Sequence, residues 1–218
     1  MNGFFVTGTD TEVGKTRISL ALIELLQKQG LTVAGMKPIA SGCELTEQGL
    51  RNDDAIQLNQ QANIDLPYEL INPYAFEPAI APHIAAQQAG LEIDLAKIKE
   101  NFIQIQHRSD AVVVEGAGGW LVPLNKTQTM ADLALSLDLA VILVVGIKLG
   151  CINHALLTVK AIEASGLILQ GWVANQIEAN EQAEKIIKTL QQDITAPCLG
   201  QVPQLEEGEL ASKFINVI

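Results

Sequence analysis

The 218-residue chain contains few aromatic side chains, few cysteines and few positive charges. Aromatic residues make up 4% against 48% hydrophobic residues, so aliphatic side chains must build the core. The three cysteines, Cys43, Cys151 and Cys198, are odd in number and far apart, which argues against a disulfide framework and favours a reducing, cytoplasmic setting. The formal net charge of −11 argues against nucleic acid or an anionic membrane as a partner.

Long hydrophobic runs are also absent. The longest, at residues 139–147, has the length of a buried strand and is far too short to span a bilayer. The chain enters an apolar segment at once, without a charged and then apolar leader. We expect one α/β domain over residues 1–218, large enough to bury a substantial core.

Apolar runs of strand length alternate with helical periodicity along the chain. This order predicts a doubly wound, mostly parallel sheet flanked by helices, since parallel strands are buried on both faces. Residues 62–82 carry four prolines and are predicted to form a surface excursion. The predicted strands are 4–7, 32–36, 111–114, 140–145, 171–174 and 198–202, and the predicted helices are 16–30, 94–108, 153–165 with Asn153 as N-cap, and 179–192.

The most informative motif is a glycine-bounded loop after the first predicted strand, which reads Gly8-Thr-Asp-Thr-Glu-Val-Gly14-Lys15-Thr16. Backbone N–H groups in such loops bind phosphate oxygens, and the following helix N-terminus adds partial positive charge. Lys15 is placed to reach the β- and γ-phosphates and the Thr16 hydroxyl to bind Mg²⁺. Five residues separate the two glycines instead of the usual four. The motif predicts a fold like that of the P-loop NTPases.

Further polar residues follow other predicted strands. Lys37 and Ser41 follow the second strand, at the sheet edge where open α/β folds bind ligands. Glu115 follows three valines and resembles the acidic residue that completes a Mg²⁺ shell beside a phosphate loop. Asp54 is either a second metal-side carboxylate or part of a simple helix cap at residues 52–54.

Lys148 ends another predicted strand, and a glycine turn and a helix start follow it. Free N–H groups at that helix N-terminus suit a carboxylate. An ordinary strand-to-helix turn explains the same spacing equally well. The three histidines have no metal-ligand spacing.

Taken together, these segments resemble the dethiobiotin synthetase family over nearly the whole chain. The long loop spacing is itself a trait of that family. The resemblance rests on segments 5–16, 35–42, 49–54, 72–74, 114–120, 141–154 and 171–175.

The resemblance implies an ATP- and Mg²⁺-dependent ligase of biotin biosynthesis. Its substrates would be 7,8-diaminononanoate, CO₂ (or bicarbonate) and ATP. One amine captures CO₂ as a carbamate, the carbamate is activated as a carbamic–phosphoric anhydride, and the second amine closes the urea ring. The family works as a homodimer, with the diamine near the subunit interface.

The resemblance also assigns roles to residues. Lys37, Lys15 and Thr11 would be catalytic, and Thr16, Asp54 and Glu115 would hold Mg²⁺. Glu12 would face the ammonium substrate or the ribose and metal region. ATP would contact Glu12, Val13, Gly14, Lys15, Thr16, Arg17, Asp54, Glu115, Gly116, Ala117, Gly118, Asn175, Gln176, Pro203, Gln204 and Leu205. The substrate would contact Ser41, Lys148, Leu149, Gly150, Cys151, Ile152 and Asn153, with residues 149–153 contributed by the neighbouring subunit.

The predicted adenine site departs from the family pattern. The family carries an Asn-Asp pair after the fifth strand, whereas this chain has Asn175 followed by Gln176. An amide both donates and accepts hydrogen bonds, so adenine can still bind without the acidic partner. Gln204 stands where a large aromatic residue occurs in relatives.

The main alternative is a dimeric P-loop ATPase switch of the partitioning or metal-insertion type. That class carries an extra lysine early in the loop, and here no lysine precedes Lys15. A related amide-forming ligase would need an additional glutamine-hydrolysing domain, which the length of the chain does not accommodate.

Overall fold

The computed structural model describes residues 3–206 and 209–216. The other six residues of the predicted 1–218 domain lie outside the described ranges. The strands are β1 (Gly3–Gly8), β2 (Val33–Met36), β3 (Ile39–Ser41), β4 (Glu44–Thr46), β5 (Gly49–Arg51), β6 (Tyr74–Phe76), β7 (Ala111–Gly119), β8 (Ala140–Gly146), β9 (Leu169–Asn175) and β10 (Cys198–Val202).

Eight α-helices and a 3₁₀ turn are found in the described ranges. The helices are α1 (Lys15–Lys28), α2 (Asp53–Gln61), α3 (Tyr68–Ile71), α4 (Pro82–Gln88), α5 (Leu95–Gln106), α6 (Met130–Leu137), α7 (Cys151–Ser165) and α8 (Ala183–Asp193), and the 3₁₀ turn is Ala211–Phe214. Within these ranges, no helix combines the length and hydropathy needed to cross a membrane.

Six of the strands form one parallel sheet in the order β10-β9-β8-β1-β7-β2. Side chains of β7 alternate between two core clusters, with Val112 and Val114 on one face and Ala111 and Val113 on the other. The sheet is therefore buried on both faces, as its unbroken apolar strands predict. The predicted α/β fold with a mostly parallel sheet and flanking helices is confirmed.

All six predicted strands are present, but the third was predicted too short. β7 continues to Gly119, so Glu115 lies inside the strand, opposite Val6 of β1, instead of at its tip. The run after Glu115 consists of glycine and alanine, which lets the backbone stay close to β1 as far as Gly8. The Glu115 backbone is therefore paired with β1, one residue beyond the last pair between β7 and β2.

Two helix starts differ from the prediction by two residues or more. α7 begins at Cys151, with Gly150 as its N-cap at φ 88°, so the prediction of Asn153 as N-cap was wrong. Glycine adopts this left-handed conformation without strain, and the chain can therefore turn into the helix earlier. α8 begins at Ala183 because the Asn180 side chain accepts a bond from the Gln182 N–H at 2.9 Å and organises a turn before the helix.

The prediction of a surface excursion at residues 62–82 was also wrong. β6 pairs in parallel with β3, and Ile71, Tyr74 and Phe76 are buried in the core. The prolines punctuate short elements, each of which buries one or two apolar side chains. This segment packs beside the end of β2, where the Lys37 N–H donates to the Ile71 carbonyl at 3.0 Å.

Candidate active site

A cleft of about 710 Å³ opens at the carboxyl edge of the parallel sheet. It lies beside β1, where the strand order reverses, which is where open α/β sheets bind their ligands. The loop after β1 and the end of β7 form one side, and residues following β2 form the other. Its lining includes Thr11, Glu12, Gly14, Lys15, Thr16, Lys37, Ser41, Asp54, Glu115, Ala117 and Gly118.

The loop between β1 and α1 is held in one conformation by its own backbone and by β9. Gly14 is the N-cap of α1 at φ 88°, and Glu12 also has a positive φ, of 58°. The buried Asn175 side chain donates to the Val13 carbonyl at 2.8 Å. The Lys15 ammonium donates to the Asp10 carbonyl at 2.9 Å, so it lies folded back along the loop.

The Asp10 side chain stabilises the conformation of the loop, which is one residue longer than usual. Its carboxylate accepts a hydrogen bond from the Thr11 N–H at 2.8 Å and lies 3.4 Å from the Lys148 ammonium. These contacts lower the pKa of Asp10, chiefly through the Thr11 N–H and then through Lys148. The loop after β1 is thereby tied to the end of β8.

Four side chains meet on the floor of the cleft. The Lys37 ammonium lies 2.5 Å from Glu115 Oε1 and 3.1 Å from Asp54 Oδ2, and the Thr16 hydroxyl donates to Glu115 Oε1 at 3.0 Å. Lys37 and Glu115 are 5% and 1% exposed, so both charges are removed from water. Charged side chains this deeply buried need partners of opposite sign, which they find in each other.

The pKa values of the two lysines in the cleft shift in opposite directions. Burial on its own would lower the pKa of Lys37, but the carboxylates of Glu115 and Asp54 outweigh it and raise that pKa. Burial, and after it the charge of Lys37, lowers the pKa of Lys15 to about 8. Burial opposes ionisation of Asp54, yet Lys37 and then Thr16 keep its pKa below the usual value.

The donor set fits a magnesium ion. Glu115 Oε2 is buried and has no hydrogen-bond partner among the described residues. A buried carboxylate oxygen without a partner is costly, and hard oxygen donors are what Mg²⁺ prefers. Thr16, Glu115 and Asp54 supply such donors side by side, and Ser41 Oγ is a further buried oxygen without a partner there.

Other predicted site residues lie outside the cleft lining. Lys148 reaches the loop through Asp10, whereas Leu149 is 96% exposed and Asn153 is exposed on the first turn of α7. The Cys151 thiol is buried and unpaired by disulfide. Residues 149–153 therefore follow the end of β8 and do not line this chain's own cleft, with Leu149 exposed and Cys151 buried in the first turn of α7.

The predicted base-binding residues gather on the far side of the phosphate loop, at the ends of β9 and β10. The Gln176 N–H donates to the Val202 carbonyl at 2.9 Å, which places it beside Pro203. Gln204 is exposed, and Leu205 packs partly against the core cluster that contains α1. Arg17, on the outer face of α1, is exposed as well.

Sequence patterns missed two residues next to the site. Asn72 is 4% exposed and donates to the Lys37 carbonyl at 2.6 Å, and Tyr68 donates to Asn72 at 3.1 Å. Asn72 belongs to one of the family-like segments, but no spacing rule links it to Lys37, 35 residues earlier. An Asn-Pro pair flanked by apolar residues was the one available signal.

Comparison with known proteins assigns the chain to a family. A family model described as an AAA domain matches residues 2–210. An ATP-dependent dethiobiotin synthetase BioD of Pseudomonas aeruginosa (strain UCBPP-PA14) is 51% identical over 214 residues, covering 97% of this chain and 94% of the relative. The enzyme of the same name from Cellvibrio japonicus is 51% identical over 203 residues, covering 93% and 89%. The chain belongs to the ATP-dependent dethiobiotin synthetase family.

Membership in the dethiobiotin synthetase family confirms the resemblance, and with it the prediction of an ATP-dependent ligase. The identity extends to a more distant member of the family, from Xanthomonas oryzae pv. oryzae, which is 46% identical over 211 residues and covers 96% of this chain and 94% of its own length.

Solved structures show how widely the dethiobiotin synthetase fold is shared. The MinD cell division protein of Aquifex aeolicus superposes with a TM-score of 0.59 at 16% identity, covering 95% of this chain and 84% of that chain. The signal recognition particle receptor FtsY of Elizabethkingia anophelis gives 0.55 at 12%, covering 92% and 56%. These likenesses confirm the P-loop NTPase fold alone, so they do not favour the ATPase-switch alternative.

Proposed function

We propose that the cleft catalyses the carboxylation and ring closure of 7,8-diaminononanoate with CO₂ to give dethiobiotin, with ATP converted to ADP and phosphate. The observation that carries this proposal is the Lys37–Glu115–Asp54–Thr16 cluster, placed beside a phosphate loop and facing a cleft of about 710 Å³. A nucleotide switch needs the loop and the metal-side groups, but it has no need of a buried lysine and an unpaired Ser41 hydroxyl beyond them.

The proposed reaction has three steps. One amine nitrogen forms a bond to the carbon of CO₂ and loses a proton, which gives a carbamate. A carbamate oxygen then attacks the γ-phosphorus, and ADP leaves. Finally the second amine attacks the carbamoyl carbon, loses its proton and expels phosphate, which closes the five-membered urea.

Charge is the main obstacle in the second step, because an anionic carbamate must approach an anionic phosphoryl group. At 4 Å the repulsion of two unit charges is about 1 kcal/mol in water and about 4 kcal/mol at a protein-like dielectric. Lys37 and Lys15 both line the cleft and would supply positive charge near this contact. Lys37 is held protonated by its carboxylate partners, so it can stabilise both the carbamate and the developing transition-state charge.

Thr16, Glu115 and Asp54 would hold the magnesium ion that accompanies ATP. When bound, that ion neutralises part of the phosphate charge. Thr11 and Ser41 line the cleft within the same space and would orient the amines and the carbamate by hydrogen bonds. Glu12, also in the lining, would face the ammonium group of the diamine or the ribose.

Adenine would bind outside the cleft, at the ends of β9 and β10. Asn175 uses its NH₂ group on the Val13 carbonyl, and its buried Oδ1 has no partner among the described residues. Gln176 offers an amide where the family has a carboxylate. An amide can donate as well as accept, so we infer weaker discrimination among bases than a carboxylate gives.

The substrate carboxylate would be bound by the N-terminus of α7 from a second subunit. Gly150 gives that helix no side-chain cap, so its first amides can receive an anion. These residues do not line their own cleft, and Leu149 is 96% exposed, which supports a role for this segment in the site of a neighbour. This arrangement would require a homodimer.

The proposal is tested by measuring ADP release and dethiobiotin formation with each substrate omitted in turn. Appreciable ATP hydrolysis is expected only when the diamine and bicarbonate are both present, with one dethiobiotin formed per ADP. Strong ATP hydrolysis without the diamine would contradict the proposal and favour the switch.

A further inference from the structure

The backbone of Lys37 is held from outside the central sheet. β2 ends at Met36, and Pro38 has no N–H to continue a strand. The Lys37 carbonyl accepts a bond from the Asn72 side chain at 2.6 Å, and Asn72 is 4% exposed. A residue before proline is restricted to extended conformations, so fixing its carbonyl also fixes the direction of its side chain. Asn72 therefore fixes the Lys37 backbone from which the ammonium side chain extends to Glu115 and Asp54.

The same network reaches Asp54 from the opposite side. The Tyr68 hydroxyl donates to Asn72 Oδ1 at 3.1 Å and accepts from the Asn52 N–H at 2.9 Å. Asn52 is the N-cap of α2, and its side chain accepts from the Ala55 N–H at 3.3 Å. Because Asp54 lies in the first turn of this helix, one phenolic oxygen joins the start of α2 to the group that holds Lys37.

These bonds form a closed circuit. It runs from the Lys37 ammonium to Asp54, through the first turn of α2 to Tyr68, and through Asn72 back to the Lys37 carbonyl. The Arg51 guanidinium stacks on the Tyr68 ring at 4.1 Å and restricts the ring. A closed set of hydrogen bonds of this kind, part of it buried, restricts the motion of the groups that it joins. Neither Tyr68 nor Asn72 lines the cleft, so neither can act on the substrate directly.

We propose that Tyr68 and Asn72 are positioning residues, which set the placement of Lys37 relative to Asp54 for the phosphoryl-transfer step. The inference rests on the proposed function, because that function gives Lys37 and Asp54 their roles in the reaction. A misplacement of about 1 Å in a reacting constellation can cost about 10²-fold in rate. Removal of a single bond from the circuit is expected to cost less than that.

The chain supplies a closely matched control. The Tyr74 hydroxyl accepts from the Asp94 N–H at 2.9 Å, and Asp94 is the N-cap of α5. Tyr68 and Tyr74 thus each use a phenolic oxygen to hold the backbone of a helix N-cap residue. The Tyr68 hydroxyl is also connected to Lys37, through Asn72, whereas Tyr74 meets Asn72 through its backbone carbonyl at 3.4 Å, a contact that Tyr74→Phe leaves in place.

The test compares Tyr68→Phe with Tyr74→Phe. We expect Tyr68→Phe to lower kcat about tenfold with KM for ATP within about twofold of wild type, because the phosphate loop is untouched. Tyr74→Phe should keep the wild-type kcat while losing a similar amount of thermal stability. Equal kcat in the two variants, or a kcat loss in both that follows their stability, would overturn the proposal.

A double-mutant cycle provides the second measurement. In an Asp54→Ala background, followed by single-turnover assay, Tyr68→Phe should lower the rate by less than about twofold, because the carboxylate that it aligns is gone. Asn72→Ala should still lower the rate in the Asp54→Ala background, because it also releases the Lys37 carbonyl. The same factor for Tyr68→Phe in both backgrounds would show a merely structural role. A wild-type protein that forms no dethiobiotin would instead contradict the proposed function itself.

Discussion

At the scale of single residues, Lys37 occupies an unusual position. It is buried, it is bonded to two carboxylates on the metal side of the site, and it faces the cleft where a carbamate would form. A buried ammonium with two acidic partners stays charged well above neutral pH, because the partners outweigh the cost of burial. Its charge is therefore a fixed feature of the site, unlike that of Lys15.

Replacing Lys37 by glutamine should separate catalysis from nucleotide binding. We expect Lys37→Gln to lower kcat by about 10²-fold or more, since a charge aimed at the transition state is lost, while Mg-ATP still binds through the phosphate loop. Isothermal titration and turnover assays measure the two effects separately. Lys188→Gln, which changes an exposed lysine of α8, is the matched control and should leave both values unchanged.

Lys15 should make ATP binding sensitive to pH. Its pKa of about 8 means that the free protein loses this positive charge as the pH rises through 8. The dissociation constant for ATP should therefore increase above pH 8, by at most about tenfold per pH unit for one linked proton. Lys15→Arg keeps its charge over this range, so its affinity should not change with pH. An identical pH profile for both proteins would assign the effect to another group.

At the scale of elements, the phosphate loop depends on Gly14. This residue has φ 88°, and a Cβ there would lie 2.2 Å from the Asn175 amide nitrogen that holds Val13. The start of helix α1 and the end of strand β9 are thus in close contact at Gly14. Glycine is required here both for its backbone conformation and for the space it leaves.

Gly14→Ala should therefore weaken ATP binding by about tenfold or more and destabilise the fold by about 1–3 kcal/mol, as expected for a strained φ with a clash. Gly30→Ala is the control, because Gly30 has φ 85° but a Cβ added there would meet no atom within 4 Å. It should cost about 1 kcal/mol of stability and leave ATP affinity unchanged. Thermal unfolding and ATP titration of both variants measure these effects. Equal loss of affinity in both would mean that backbone strain alone, without the clash, explains the result.

The elements also show how far the sequence determines the site. The six core strands and the phosphate loop were predictable, since continuous apolar runs and glycine spacing are local signals. The packing of residues 62–82 was not predictable, because it depends on pairing between β6 and β3, whose residues are far apart in the chain. The contact from Tyr68 through Asn72 to Lys37 is equally non-local. The N-cap of α7 was missed for a local reason, since Gly150 competes with Asn153 and pattern alone does not rank them.

At the scale of the whole molecule, apolar side chains are exposed around α7. Leu149 is 96% exposed just before the helix, and Leu157 is 59% exposed on it. Exposed leucines next to a turn that lies outside its own cleft are what an intersubunit contact requires. The proposed homodimer would place this surface against a second copy and carry residues 149–153 to that copy's site.

Leu157→Glu should shift the protein from dimer to monomer, because a buried carboxylate at the contact is unfavourable. Leu91→Glu is a matched control, since Leu91 is 58% exposed but lies before α5, away from α7. Sedimentation equilibrium measures the effect, and turnover should fall together with dimerisation. If Leu157→Glu keeps the oligomeric state of the Leu91→Glu control, the contact does not involve this face of α7.

The segment between β2 and α5 has its own small sheets, β3 with β6 and β4 with β5, separate from the six-stranded sheet. It supplies Lys37, Ser41, Asp54 and the circuit through Asn72, whereas the six-stranded sheet supplies the phosphate loop and Glu115. The proposed site is thus assembled from two stretches of chain that meet in one cleft. Exchanging the segment between β2 and α5 would change the groups proposed to bind the acceptor together with Asp54, one of the carboxylates proposed to hold magnesium, so acceptor choice and metal binding cannot be redesigned independently.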